Sequence, residues 1–162
     1  MNVLTRTRRT LRRFIKNERG SQIIEMAFAV PFLLLMFAST AELGRLFYTY
    51  NTLAKATKVG ARYLSSMKNV SLAESDAKNL VRCGTTAACS NSALIVSGLE
   101  DANIQITPPA AGASSTKYVT VAIQNYTYQP LVFDLGGMVY GDNISIEIPL
   151  APSTTMRYMV TP

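Results

Sequence analysis

A long apolar stretch near the N-terminus dominates the hydropathy pattern of the chain. Residues 26–41 contain no charged side chain and are rich in Phe and Leu, with Glu25 just before them and Glu42 and Arg45 shortly after. A helix of about 20 mostly apolar residues crosses the roughly 30 Å hydrocarbon core of a bilayer. The pattern therefore predicts one membrane-spanning helix, in preference to the buried core helix of a soluble protein.

The same helix is predicted to continue beyond the apolar stretch as an amphipathic helix. Apolar positions recur there at spacings of three and four, and basic side chains occupy the opposite face. The apolar positions are Leu43, Leu46, Phe47, Tyr50, Leu53, Ala54, Thr57, Ala61 and Leu64, and the basic positions are Arg45, Lys55, Lys58 and Arg62. We predict a single helix from Gln22 to about Ser66, whose second part packs most of its apolar stripe against a small sheet.

The rest of the chain predicts a short helix and several strands. A capping-box pattern over residues 71–74 opens a helix that reaches about Arg82. Beyond this helix, apolar and polar residues alternate with the period of a strand. The predicted strands cover residues 104–106, 119–123, 144–150 and 156–160. These elements predict an α+β fold, in which the long N-terminal helix packs on a small antiparallel sheet of about four strands.

The net charge of the chain comes from its N-terminal tail. The 162 residues include 16 basic and 10 acidic side chains, a net charge of +6. The basic residues of the tail are Arg6, Arg8, Arg9, Arg12, Arg13, Lys16 and Arg19. A basic flank places its side of an apolar helix in the cytoplasm and is attracted to anionic lipid. Membrane topology therefore explains the tail, and we expect no nucleic-acid partner.

Charge and hydropathy together divide the chain into three segments. We predict a cytoplasmic basic leader at residues 1–20, a transmembrane and extended helix at residues 21–66, and an exported α+β domain at residues 67–162.

The composition argues against catalysis. The sequence contains no His, which is the commonest metal ligand and a frequent general base. It also contains no Gly-x-Ser-x-Gly motif, phosphate-binding loop or pair of catalytic carboxylates. We therefore expect no enzymatic activity, no cofactor and no metal site.

The two cysteines of the chain predict a local disulfide. Cys83 and Cys89 enclose a short loop in the part of the chain predicted to be exported. An oxidising compartment favours a disulfide at such a spacing. The redox and zinc alternatives are weaker, because a redox pair prefers Cys-x-x-Cys and two thiolates without His leave zinc short of ligands.

The boundary between leader and apolar helix carries a candidate processing site at Gly20 and Ser21, followed by Glu25. This arrangement resembles a type III signal of the prepilin class, in which a membrane-embedded peptidase cuts after the glycine and leaves the apolar helix attached. The mature chain would begin at Ser21. Because glycine disfavours helix, we expect the helix not to run back into the leader. Two alternatives stay open: an uncleaved membrane anchor, and an ordinary secretory signal cut near residues 38–41.

Glu25 is the candidate assembly residue. A carboxylate in a membrane helix costs roughly 2.5–3.5 kcal/mol and indicates a functional site unless it reaches the interface by snorkelling. Ser21 and Glu25 lie one helical turn apart, so cleavage would create an α-ammonium group at the depth of the carboxylate, in the same chain or in a neighbour. Prepilin-like proteins are thought to set subunit register with this pairing, and the resemblance assigns that role to Glu25.

A series of motifs follows along the N-terminal helix. They are Glu25-Met26-Ala27-Phe28, Pro31, Ala41-Glu42-Leu43-Gly44-Arg45, Phe47-Tyr48 and Gly60-Ala61-Arg62-Tyr63. Their order resembles the N-terminal module of the TadE-like family of the tight-adherence (Tad) pilus and secretion system, over about residues 20–64. The resemblance makes Glu42, Gly44, Arg45, Gly60 and Arg62 candidate functional residues of the helix.

The resemblance implies a pilin-like fold and the role of a minor pseudopilin, an accessory subunit in the assembly of Flp-type pili for adhesion and secretion. The implied partners are a prepilin peptidase, other minor pseudopilins, the major Flp pilin and inner-membrane platform proteins. The implied location is a bacterial inner membrane, crossed once, with a cytoplasmic N-terminus and a periplasmic or extracellular C-terminal domain. The pilus fibre is a further implied location.

Overall fold

The computed structural model describes residues 18–90, 93–110, 117–131 and 147–159, with side chains from residue 22 onward. The chain divides into two compact units, Met1–Ala41 and Glu42–Pro162. Two sets of predicted features lie outside the described residues. They are most of the basic leader, with Arg8, Arg9, Arg12, Arg13 and Lys16, and positions 144–146 and 160 of two predicted strands.

One continuous helix, α1, runs from Glu18 to Ser65, which confirms the prediction of a single long N-terminal helix. It contains an apolar segment long enough to cross a membrane, and none of that segment is buried. The expectation that the helix would not run back past Gly20 is wrong, because α1 already begins at Glu18. A single glycine costs a helix only about 1 kcal/mol relative to Ala, which helical neighbours on both sides can outweigh.

A second helix, α2, spans Glu74–Cys83. The predicted capping box is wrong, because Ala73 occupies the N-cap position and no side chain caps the helix. The Asn69 side-chain oxygen instead accepts hydrogen bonds from the backbone N–H groups of Ser71 and Leu72, at 3.1 and 3.4 Å. This Asx-type turn uses the backbone donors of the segment before the helix starts.

The strands form two small antiparallel sheets. In the first, β1 (Ile104–Thr107) pairs with β2 (Tyr118–Ile123), and β2 pairs with β5 (Ser153–Arg157). In the second, β3 (Tyr126–Tyr128) pairs with β4 (Ile148–Leu150). The α+β class is confirmed.

The strand boundaries differ from the predicted ones in several places, and two of the differences have a clear physical reason. β3 was not predicted, because three residues are too few to show an alternating pattern. The last strand begins at Ser153 rather than Met156. The first residues of this strand carry hydroxyl side chains, so they show no alternation of apolar and polar residues. In the structure, the hydroxyl group of Thr154 lies 3.0 Å from that of Thr57, and the hydroxyl group of Thr155 lies 2.8 Å from that of Thr120.

The core of the second unit lies between α1, α2 and the inner faces of the strands. Its fully buried side chains are Leu53, Thr57, Ala61 and Leu64 of α1, Ala77 and Val81 of α2, Val119, Val121 and Ile123 of β2, and Leu99. The α1 members recur at spacings of three and four, as the amphipathic pattern predicts. The start of the same predicted stripe is exposed instead: Leu43, Phe47 and Tyr50 face outward and do not pack on a sheet.

Cys83 and Cys89 form a disulfide, with their Cα atoms 5.8 Å apart. The bond closes a loop directly after α2, where Gly84 takes a left-handed conformation and its N–H donates to the carbonyl of Leu80. Glycine at this position lets the chain leave the helix without Cβ strain.

Gly60 allows α1 and α2 to approach each other closely. A Cβ atom at residue 60 would lie 2.6 Å from Cγ2 of Val81, a buried side chain of α2. At Gly44, another helix-motif residue, no atom of the described residues would lie within 4 Å of an added Cβ atom. The two motif glycines therefore have different surroundings, and among the described residues packing requires a glycine at position 60 but not at position 44.

We expect Gly60→Ala to destabilise the second unit by about 1–3 kcal/mol through overpacking against Val81. The matched control, Gly44→Ala, should be neutral or stabilising by up to about 1 kcal/mol, since Ala is the better helix former and the site is open. Urea unfolding of the full chain in detergent, followed by near-ultraviolet circular dichroism of the tyrosines, measures both. Equal effects of the two substitutions would contradict this account.

Candidate functional site

Glu42 is the most unusual residue of the second unit, because it is an acidic side chain with only 5% of its surface exposed. A carboxylate is rarely buried unless other groups replace the hydrogen bonds it made to water. Glu42 lies on α1 directly after the apolar segment, at the first residue of the second unit. Its surroundings therefore indicate how the globular part of the chain is held to the helix.

Two donors reach Glu42 from a distant part of the chain. The hydroxyl group of Tyr128 donates to Oε1 at 2.5 Å, and the backbone N–H of Leu131 donates to the same oxygen at 3.3 Å. Alternation along β3 turns Tyr126 and Tyr128 inward and Thr127 outward. The strand therefore places the Tyr128 hydroxyl group beside Glu42, and the loop after the strand places the N–H of Leu131 there as a second donor.

Arg45 covers the outer side of the same carboxylate. Its Nη1 atom lies 3.3 and 3.4 Å from the two oxygens of Glu42, one helical turn away. The guanidinium carbon also lies 6.0 Å from the centre of the Tyr128 ring, within the range of a cation–π contact. We call Glu42, Arg45, Tyr128 and the N–H of Leu131 the Glu42 cluster.

The electrostatics of the Glu42 cluster keep Tyr128 protonated. The pKa of Tyr128 is raised to about 12, mainly by burial and additionally by the hydrogen bond to Glu42 and the charge of that carboxylate. The nearby charge of Arg45 acts in the opposite direction. Tyr128 is consequently a permanent hydrogen-bond donor at physiological pH.

The chemistry of the Glu42 cluster is that of a structural clamp. It joins a carboxylate to donors and offers no nucleophile beside a base. A cleft of about 710 Å³ lies next to it, with Arg45, Tyr128 and Leu131 among its lining residues. Within the described part of the chain, no group of three or more His, Cys, Asp or Glu residues could hold a metal ion.

Of the five helix-motif residues singled out in the sequence, the structure brings Glu42 and Arg45 into contact. Gly60 packs against α2, whereas Gly44 and Arg62 are exposed on α1. The sequence pattern does not identify Tyr128 as a partner of Glu42. The local pattern around it, two tyrosines separated by one polar residue, indicates a strand but no contact with the helix.

The residues near the candidate processing site belong to the first unit. Gly20 and Ser21 lie within the helical backbone of α1, and the side chain of Glu25 lies among exposed neighbours on that helix. No other described side chain of that unit carries a charge.

A comparison with known protein families gives a match on α1, the helix that carries Glu25 and the helix-motif residues. Residues 20–62 match the TadE-like protein family. The match contains Glu25 and all five helix-motif residues, and it confirms the resemblance to the TadE-like family over this part of the chain. No curated protein and no solved structure matches the sequence. The TadE-like family is associated with the Tad pilus, and it is not known for enzymatic activity.

We expect Tyr128→Phe to destabilise the second unit by about 1.5–3 kcal/mol, because it removes a hydrogen bond to a buried charge. The matched control is Tyr126→Phe, which removes a hydroxyl group that donates to the carbonyl of Ser97 at 3.2 Å. That acceptor is neutral, so the loss should be nearer to 1 kcal/mol. Urea unfolding of the full chain in detergent measures both, and a smaller effect at Tyr128 than at Tyr126 would contradict the clamp.

The raised pKa of Tyr128 also predicts a pH dependence of stability. The folded state holds the phenol proton more tightly than the unfolded state, whose tyrosine pKa is about 10. The resulting stabilisation is complete below pH 10 and is lost as pH rises through about 12. Unfolding free energies measured from pH 9 to 12 should fall more steeply for the native chain than for Tyr128→Phe. Parallel curves would refute the assignment.

Proposed function

We propose that this protein is a minor pseudopilin, an accessory subunit for the assembly of Flp-type pili by the Tad system in adhesion and secretion. The observation that supports the proposal most is the TadE-like match at residues 20–62, located on a helix with one exposed apolar segment. Such a helix provides a membrane anchor and a surface for other helices. The function is assembly, and it requires neither a cofactor nor a substrate.

The proposed topology follows the charges around the apolar segment. Residues 1–20 form a cytoplasmic leader, residues 21–66 form the transmembrane and extended helix, and residues 67–162 form the exported domain. The protein crosses a bacterial inner membrane once, with its C-terminal domain in the periplasm or outside the cell. The disulfide between Cys83 and Cys89 supports an oxidising compartment for that domain.

The proposed processing site lies between Gly20 and Ser21, where a prepilin peptidase would remove the leader. The new ammonium group of Ser21 would then pair with the Glu25 carboxylate, in the same chain or in a neighbouring subunit. Other minor pseudopilins, the major Flp pilin and the platform proteins of the inner membrane are the proposed assembly partners.

A second candidate function is that of a membrane scaffold of the secretion apparatus, in which the leader is not cleaved and the helix anchors the full-length chain. The observation that favours it is the helical backbone through Gly20 and Ser21. Peptidases bind an extended backbone, so the first turns of α1 would have to unfold before cleavage.

The mass and N-terminal sequence of the protein, extracted from host membranes with and without the prepilin peptidase, separate these candidates. We expect a chain that begins at Ser21 only when the peptidase is present. A full-length chain in both strains would support the uncleaved scaffold. A soluble chain that begins near Glu42 would show an ordinary secretory signal and contradict both candidates.

We expect Glu25→Gln to reduce fibre assembly strongly, since it removes the charge that would pair with the Ser21 ammonium group. Glu147→Gln provides the matched control, because it removes an exposed carboxylate from the second unit and should leave fibre yield unchanged. Sheared fibres are quantified by immunoblot, with membrane levels of each variant as the reference. Normal fibre yield with Glu25→Gln would exclude a register role for Glu25.

A further inference from the structure

Three large apolar side chains are exposed where α1 enters the second unit. Leu43 is 54% exposed, Phe47 is 62% exposed and Leu131 is 66% exposed. Leu43 follows Glu42 directly, and Phe47 lies one helical turn further along α1. Leu131 comes from the loop after β3, but its N–H is bonded to the Glu42 carboxylate. We call Leu43, Phe47 and Leu131 the apolar rim.

The length of the apolar segment indicates where the membrane surface lies along α1. At 1.5 Å per residue, the stretch from Ile23 to Ala41 covers about 28 Å, close to the roughly 30 Å hydrocarbon core. Glu42 would then lie at the outer boundary of that core. If the span begins after Glu25 instead, the boundary moves further along α1, towards Phe47. The apolar rim therefore lies at the headgroup level in the first case and at the edge of the hydrocarbon core in the second.

A second observation indicates the same level. Phe47, Tyr48 and Tyr50 are exposed on the two helical turns after Glu42. Aromatic side chains are enriched at the boundary between bilayer and water, where a ring can face lipid and a hydroxyl can face water. The aromatic positions therefore agree with the boundary that the length of the apolar segment gives.

The Glu42 cluster connects this level to the globular part of the second unit. A carboxylate at the edge of the hydrocarbon core has little water to solvate it and needs protein donors. Tyr128 and the N–H of Leu131 supply them. Because that hydrogen bond is 3.3 Å long, the backbone of Leu131 must lie close to the depth of the Glu42 side chain.

We propose that the exported domain rests on the membrane and inserts Leu131, together with Leu43 and Phe47, into the interfacial layer of the bilayer. The proposal rests on the proposed membrane span of α1 and extends it to a loop 89 residues from Glu42 in the sequence. The partner surface is lipid. Burying apolar side chains at this level stabilises the contact, because it removes apolar surface from water.

The absence of Trp from the sequence allows a direct test by fluorescence. Single Trp residues are introduced into the full chain as Leu131→Trp, Leu72→Trp and Phe32→Trp, each at an exposed apolar position. Leu72, 79% exposed in the turn before α2, is the matched control for Leu131. Phe32 lies in the apolar segment and reports the membrane span. Each variant is reconstituted into phosphatidylcholine vesicles with and without lipids brominated at a shallow or a deep acyl position.

We expect Leu131→Trp to emit at shorter wavelength than Leu72→Trp and to lose most of its emission to the shallow bromines. Leu72→Trp should emit as in water and remain unquenched, whereas Phe32→Trp should be quenched most by the deep bromines. Bromine is carried only by lipid, so burial of Leu131→Trp against another protein subunit would shift its emission without quenching it.

The three variants distinguish a failure of this proposal from a failure of the membrane span of α1 on which it rests. Unquenched Leu131→Trp with quenched Phe32→Trp would mean that the domain stands clear of the bilayer, which overturns the proposal and leaves the membrane span intact. Unquenched Phe32→Trp would overturn the span itself. Unchanged circular dichroism of each variant shows that the substitution has not unfolded the second unit.

Discussion

The burial of the Glu42 carboxylate is the constraint on which the arrangement of the second unit depends. A carboxylate that leaves water must recover its hydrogen bonds, and Arg45 supplies one of them from α1 itself. Two further donors, the hydroxyl group of Tyr128 and the N–H of Leu131, are 86 and 89 residues away in the sequence. Satisfying one side chain therefore ties β3 and its following loop to one turn of α1.

The packing of small residues complements this polar clamp. Gly60 and Ala61 let α2 and β2 approach the α1 backbone, and Val81 fills the space that a side chain at residue 60 would need. Thr57 is fully buried, and its hydroxyl group lies 3.0 Å from that of Thr154. The clamp and the packed stripe together hold the second part of α1 at two separate points, which favours a fixed orientation over a hinge.

The residues of the TadE-like match serve two different purposes. Glu42 and Gly60 are used inside the chain, where they hold the sheets and α2. Gly44 and Arg62 are exposed, and no atom in the described part of the chain lies close enough to Gly44 to require a glycine there. A subunit that assembles with others needs both kinds of residue, because a rigid internal structure presents its exposed face in one defined geometry.

The sequence by itself determined the elements whose signal is local. A long uncharged stretch predicts α1 and its membrane segment, the spacing of Leu53, Thr57, Ala61 and Leu64 predicts a buried face, and two nearby cysteines predict their disulfide. The tertiary structure alone decided which parts of that pattern are used. Leu43 and Phe47 belong to the same apolar repeat as Leu53, but they are exposed whereas Leu53 is buried. Tyr128 becomes the partner of Glu42 only because β3 pairs with β4 and the chain returns to α1. No local pattern contains that information, since a hydrogen bond across 86 residues depends on how the intervening chain folds.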